Sequence, residues 1–142
     1  MKPLLFLLSF VALWQWEADF DKALQKARDE HKLVLLNFSG SDWCGPCIAF
    51  RKDYLESAAF ATYADAHLVL VNADFPRKSK NQPAADIVKR NEMLAEKYNK
   101  EGTFPLTLLL DSNGKVLKRW AGKPSEKPDD WINELANVDT KR

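Results

Sequence analysis

The chain has 142 residues, 46% of them hydrophobic and 29% charged, with 5 glycines and 7 prolines; this is the composition of one folded domain of ordinary size and excludes disorder beyond the ends. Lysine and arginine number 21 against 20 aspartates and glutamates, which removes the electrostatic case for nucleic acid as the main partner. The only cysteines, Cys44 and Cys47, are too close in sequence to form the disulfide framework of a small secreted scaffold.

Met1 and Lys2 precede an apolar run over residues 4–13, broken only by Ser9, which is the layout of a secretory signal. The run is too short for an ordinary membrane-spanning helix, which needs about 20 apolar residues. Trp14, Gln15 and Trp16 stand where the small residues of a cleavage site are expected. Three readings stay open: export with cleavage, retention of an uncleaved segment near the membrane, and burial of a plain N-terminal segment. Residues 1–16 are therefore set apart from a domain of residues 17–142.

Residues 19–30 favour a helix with Phe20, Ala23, Leu24 and Ala27 on one face. Residues 33–38 form an apolar run suited to a strand buried on both faces. After a loop at residues 39–43 the cysteines open a second helix. Cys47, Phe50 and Tyr54 share its inward face, while Cys44 sits at the mouth as the exposed member. A break near Glu56 and Ser57 leads to a further helical piece, residues 58–66, with Ser57 as its N-cap. Residues 68–73 repeat the buried-strand pattern.

The polar, proline-bounded segment 75–83 is a loop in which Arg77, Lys78 and Lys80 form a solvated cluster. Residues 84–99 return to helix, with Ile87, Leu94 and Tyr98 on one stripe. Residues 106–110 and 116–120 are strands joined through Asn113-Gly114, a hairpin signal. Pro128 suits the first turn of a last helix whose inner face carries Trp131, Leu135 and Val138. Strands separated by helices imply parallel crossovers, whereas the closing hairpin is antiparallel. The expected fold class is thus α/β, a mixed central sheet with helices on both faces.

A thiol attacks only as thiolate, and a helix N-terminus favours that anion. Cys44 is placed to receive this help, and Cys47, one turn later, is close enough to attack a mixed disulfide formed at Cys44. Gly45 permits close backbone approach, and Pro46 fits the first turn and stiffens the intervening dipeptide. Two other readings of the pair are a zinc site completed by His31 and His67, and plain burial as small core residues. A Trp-Cys-Gly-Pro-Cys sequence at a strand-to-helix turn favours a cycling disulfide over both.

The stretch "WCGPC" after "LVLLNF", with "TFP" at residues 103–105 ahead of another strand, resembles the thioredoxin superfamily across residues 19–138. More narrowly, "FSGSDWCGPC" and "DFDKAL" resemble exported bacterial thioredoxin-like proteins that reduce or isomerise disulfides. The resemblance implies a thioredoxin-like three-layer fold, with Cys44 as attacking and Cys47 as resolving thiol. It also implies that Trp43 shields the site rim, that Pro105 is a cis proline facing the disulfide, and that the backbone of Phe104 pairs with an extended substrate. Gly122 corresponds to a small residue beside the groove.

The activity so implied is dithiol exchange with protein disulfides, without a bound cofactor, by a monomer in the bacterial periplasm. Its partners would be disulfide-bearing proteins and a thiol/disulfide electron donor, either a membrane disulfide reductase or another thioredoxin-like protein. Thioredoxin's own potential, about −270 mV, favours reduction. The competing class is a non-enzymatic polypeptide-binding module that uses an apolar rim of Trp43, Phe104 and Phe75. One position departs from the family pattern: the buried aspartate thought to assist the resolving cysteine is matched by Asn37, and an amide cannot act as that acid or base. Asp42 is a candidate substitute, with a plain loop carboxylate as the other reading.

Overall fold

The computed structural model describes residues 16–142; apart from Trp16, the N-terminal segment and its three readings lie outside the described residues. Helix α1 (Phe20–Glu30) begins where the Asp19 carboxylate accepts from the N–H groups of Asp21 and Lys22, and it ends at His31, whose φ of 56° is left-handed. Strand β1 (Leu33–Ser39) is buried at every position and leads through a short turn into α2 (Gly45–Phe50). One π-helical turn, Arg51–Leu55, continues α2 to the expected break. Ser57 then caps α3 (Ala58–His67), its hydroxyl accepting from the Phe60 N–H at 3.2 Å. The remaining elements are β2 (Leu68–Asp74), a single 3-10 turn (Ser79–Asn81) within the expected loop, α4 (Ala85–Tyr98), β3 (Leu106–Leu110), β4 (Val116–Ala121) and α5 (Pro128–Asp139).

The strands lie in the order β2-β1-β3-β4. β1 and β2 are parallel, from Leu33 opposite Leu68 to Ser39 opposite Asp74. β3 is antiparallel to both β1 and β4. The sheet is therefore mixed, as expected, but β3 corrects the expectation that every strand reached through a helix is parallel. The cause is the connection after α4. Asn91 of α4 is bonded to the carbonyl of Asp74, at the end of β2, and Tyr98 to that of Gly114, in the β3–β4 turn, so the helix descends the sheet once. Residues 99–105 climb back, and β3 starts with Leu106 opposite Phe38, near the end of β1.

Side-chain alternation along β1 separates two cores. Leu33 and Leu35 face Phe50, Tyr54, Phe60, Trp131 and Leu135, so α2, α3 and α5 cover one face. Val34, Leu36 and Phe38 face Ala23, Ala27 and Leu94 on the other, beneath α1 and α4. This is the three-layer α/β arrangement, and it places the start of α2 at the carboxyl end of β1. No helix among the described residues is long and apolar enough to cross a membrane.

Candidate active site

The cysteines stand where β1 hands over to α2. Cys44 has extended backbone, φ −94° and ψ 102°, and is the N-cap of α2; its Sγ accepts from the Cys47 N–H at 3.3 Å. Pro46 lies in the first turn, where its missing N–H costs nothing. The two sulfurs are joined in a disulfide with the Cα atoms 5.2 Å apart. When the bond is reduced, the same N–H and the positive end of the helix would favour a thiolate on Cys44.

The expected contrast between an exposed Cys44 and a buried Cys47 is corrected: the residues are 5% and 3% exposed. Cys44 turns its sulfur inward, into the disulfide and onto the Cys47 N–H. The Trp43 indole packs over Gly40, where a Cβ would overlap the ring, and its Nε1 donates to the Phe75 carbonyl at 2.7 Å. Exposed surface is supplied instead by Gly45, Pro46 and Ile48. A Cβ at Gly45 would meet nothing within 4 Å, so no contact within the chain requires glycine there, and the space is open to a partner.

Phe104 lies edge-on to Trp43, with ring centroids 5.4 Å apart, and to Phe75 at 5.7 Å. This contact brings the Phe104–Pro105 peptide, which is cis, alongside the cysteine turn. Gly122 needs the freedom of glycine, with φ 83°, and its N–H donates to the Pro105 carbonyl at 2.8 Å. The structure thus gathers Trp43, Cys44, Gly45, Pro46, Cys47, Phe104 and Pro105 at one end of the sheet.

Asp42 is not available as the missing proton carrier. Its carboxylate accepts from the N–H groups of Arg77 and Lys78, both at 2.9 Å, and from Asn81 Nδ2 at 3.0 Å. The Arg77 N–H above all, then Asn81, lowers its pKa to about 2, so it stays ionised and serves to pin the loop. Asn37 is 4% exposed and lies in a polar row across the sheet. Its Nδ2 donates to Asn72 Oδ1 at 3.0 Å, and its Oδ1 accepts from the Thr107 hydroxyl at 3.1 Å. The row occupies the sheet face covered by α2, and Asn37 and Asn72 line a cavity of about 620 Å³ together with Ser39, Ser41 and Asn91.

Among the described residues no three His, Cys, Asp or Glu side chains are grouped so as to hold a metal ion, so the two histidines of the zinc reading do not join the cysteines. His31 closes α1, and His67 stacks on Tyr63 and meets Asp139 at 3.3 Å. Sequence reasoning missed the place of Arg77, whose guanidinium carbon lies 3.8 Å from the centroid of a Trp43 ring. It also missed Asn72 and Thr107 as partners of Asn37. None of these has a local signal, because each depends on strands or loops far apart in the chain.

A profile of the thioredoxin-like family matches residues 15–112. The chain is 38% identical over 110 residues to the disulfide bond reductase DsbH of Chlamydia pneumoniae, covering 78% of this chain and 64% of that one. It is 30% identical over 123 residues to the thioredoxin-related protein DsbJ of the same organism, covering 87% of this chain and 34% of the relative. It therefore spans less than two thirds of either relative. A solved structure of a DsbH oxidoreductase superposes with a TM-score of 0.81 at 32% identity, covering 92% of this chain and 88% of that one. The matched family, the disulfide at the start of α2 and the mixed three-layer sheet lead to one conclusion, that this chain belongs to the thioredoxin-like family.

Proposed function

We propose that the protein is a thiol:disulfide oxidoreductase that reduces or isomerises protein disulfides through Cys44 and Cys47. The observation that carries this reading is the Cys44–Cys47 disulfide at the helix start, with Cys44 Sγ held by the Cys47 N–H. In the reduced enzyme the Cys44 thiolate attacks one sulfur of a substrate disulfide. That bond breaks, a mixed disulfide forms, and the other substrate sulfur leaves as thiolate. Cys47, after losing its proton, attacks Cys44 Sγ, forms the internal disulfide and releases the second substrate thiol. The substrate gains two electrons and the enzyme loses two, which a dithiol donor restores. When the departing substrate thiolate instead attacks another substrate disulfide, the thiolate it displaces attacks the mixed disulfide and expels Cys44 as thiolate, so the substrate is isomerised with no net change in redox state.

Extended polypeptide substrates are supported by the half-buried Phe104 beside the cis Pro105, since backbone pairing tolerates many sequences. The apolar run behind Lys2 and the bacterial relatives support export to a periplasm. There a membrane disulfide reductase or another thioredoxin-like protein would be the donor.

Reduction of insulin by dithiothreitol, followed as turbidity, tests the reading. The protein is expected to accelerate it and Cys44→Ser to abolish the acceleration, while Cys47→Ser accumulates a mixed disulfide visible on a non-reducing gel. Equal rates for the wild type and Cys44→Ser would refute it. Client binding retained by a Cys44→Ser, Cys47→Ser double variant, without turnover by the wild type, would establish the binding-module alternative instead.

A further inference from the structure

The loop that follows β2 is bound to the cysteine turn along most of its start. Phe75 donates its N–H to the Ser39 carbonyl at 2.8 Å and accepts from Trp43 Nε1 at 2.7 Å. Pro76 is buried, and Asp42 holds the N–H groups of Arg77 and Lys78. Arg77 is therefore fixed on both sides to the segment that carries Cys44. Its side chain is exposed and lies over Trp43, the residue next to Cys44. A guanidinium stacked on an indole has already lost much of its rotamer freedom, and its N–H edges stay open to pair with a planar acceptor.

Among the described residues no carboxylate lies within 4.0 Å of the Arg77 guanidinium nitrogens. Asp42 is taken up by the loop amides and lies near Lys78, and Asp74 accepts from the Ser41 N–H and hydroxyl. Neither Arg77, Lys78 nor Lys80 forms an ion pair among the described residues. The rim is thus aromatic and cationic in a protein whose net charge is only +1.

We propose that Arg77 is a specificity-determining residue, its guanidinium pairing with an aspartate or glutamate side chain that flanks the disulfide of the polypeptide substrate. A carboxylate is the acceptor that matches the guanidinium fork, and it is the acidic group that a protein substrate carries. The inference rests on the thiol–disulfide reading. It adds to that reading a preference for disulfides in acidic sequence.

The test uses two peptides, each with one internal disulfide, alike except that glutamates flank the cysteines in one and glutamines in the other. The full reduced protein is mixed with each in a single turnover, and the second-order rate constant of peptide reduction is measured at low salt and at about 0.5 M salt, where surface charge is screened within about 5 Å. The glutamate peptide is expected to react about fivefold to tenfold faster at low salt, the range of one well-placed charge pair, with the ratio falling at high salt. Arg77→Gln should bring the ratio near one and Arg77→Glu should invert it, whereas Lys80→Gln should keep most of it.

A ratio unchanged in Arg77→Gln, or insensitive to salt, would overturn the inference. An equal loss in Lys80→Gln would overturn the assignment to Arg77 in favour of diffuse loop charge. Failure of the wild type to reduce either peptide would instead remove the thiol–disulfide reading itself.

Discussion

At Cys44 an extended residue meets the first turn of a helix, so its sulfur caps the Cys47 N–H rather than pointing into bulk water. Its near-complete burial follows from that inward turn, and on reduction the helix end would stabilise a thiolate there. Asp42 works through the backbone: its lowered pKa means that the folded form prefers the carboxylate. The stability from pinning the loop is full above the ordinary value of 3.8 and is lost as pH falls through about 2. The amide shifts of Arg77 and Lys78 are accordingly expected to titrate with a midpoint near 2; a midpoint at the ordinary carboxylate value would contradict the anchoring.

Asn37→Asp offers a second titration, with the opposite sign. The new carboxylate would accept from Thr107 in a buried site, and burial raises such a pKa. The native state then holds its proton longer than the unfolded chain. Stability should fall as pH rises from about 4, by about 1.4 kcal/mol for each unit of elevation, measured by urea unfolding at pH 4 and pH 7. A difference from wild type that does not vary with pH would show that the adjoining cavity solvates the carboxylate.

Among the elements, α3 shows how a well-capped, well-packed helix can tolerate one poorly served group. Ser57 caps its start, and Phe60 and Ala64 bury its inner face. The Tyr63 hydroxyl, however, is buried with no hydrogen-bond partner among the described residues, and burial, followed by the nearby Asp139, pushes its pKa up to about 12. Tyr63→Phe keeps the ring stacked on His67 and removes only the unpaired hydroxyl. It is expected to leave stability unchanged or to raise it by about 1 kcal/mol in chemical denaturation; a loss larger than this would mean that the hydroxyl has a partner in solution.

For the whole molecule, one aromatic residue ties the site-bearing helix to the far end of the chain. Trp131 of α5 is fully buried, with ring centroids 5.3 Å from Phe50, 5.9 Å from Tyr54, 5.6 Å from Phe60 and 5.8 Å from Trp120. It thereby joins α2, the π-helical turn, α3 and β4. Trp131→Ala should cost about 3–5 kcal/mol, a large share of the roughly 5–15 kcal/mol of a typical domain. Thermal unfolding would show it as a sharply lowered midpoint; a small change would mean that the aromatic cluster repacks.

The amino-acid sequence by itself determined what depends on near neighbours. The helical face of Cys47, Phe50 and Tyr54, the Ser57 cap, the Asn113-Gly114 hairpin and the chemistry open to Cys44 all follow from spacings of a few residues. Only the tertiary structure decided what depends on the return path of the chain. The direction of β3 turns on residues 99–105 climbing the sheet again, which no periodicity records. Asn37 meets Asn72 and Thr107 across sequence gaps of 35 and 70 residues, and Asp42 and Arg77 meet their partners across a loop-to-loop contact. Local backbone preference sets a spacing of three or four residues, but contacts between distant segments are chosen by how the whole core closes.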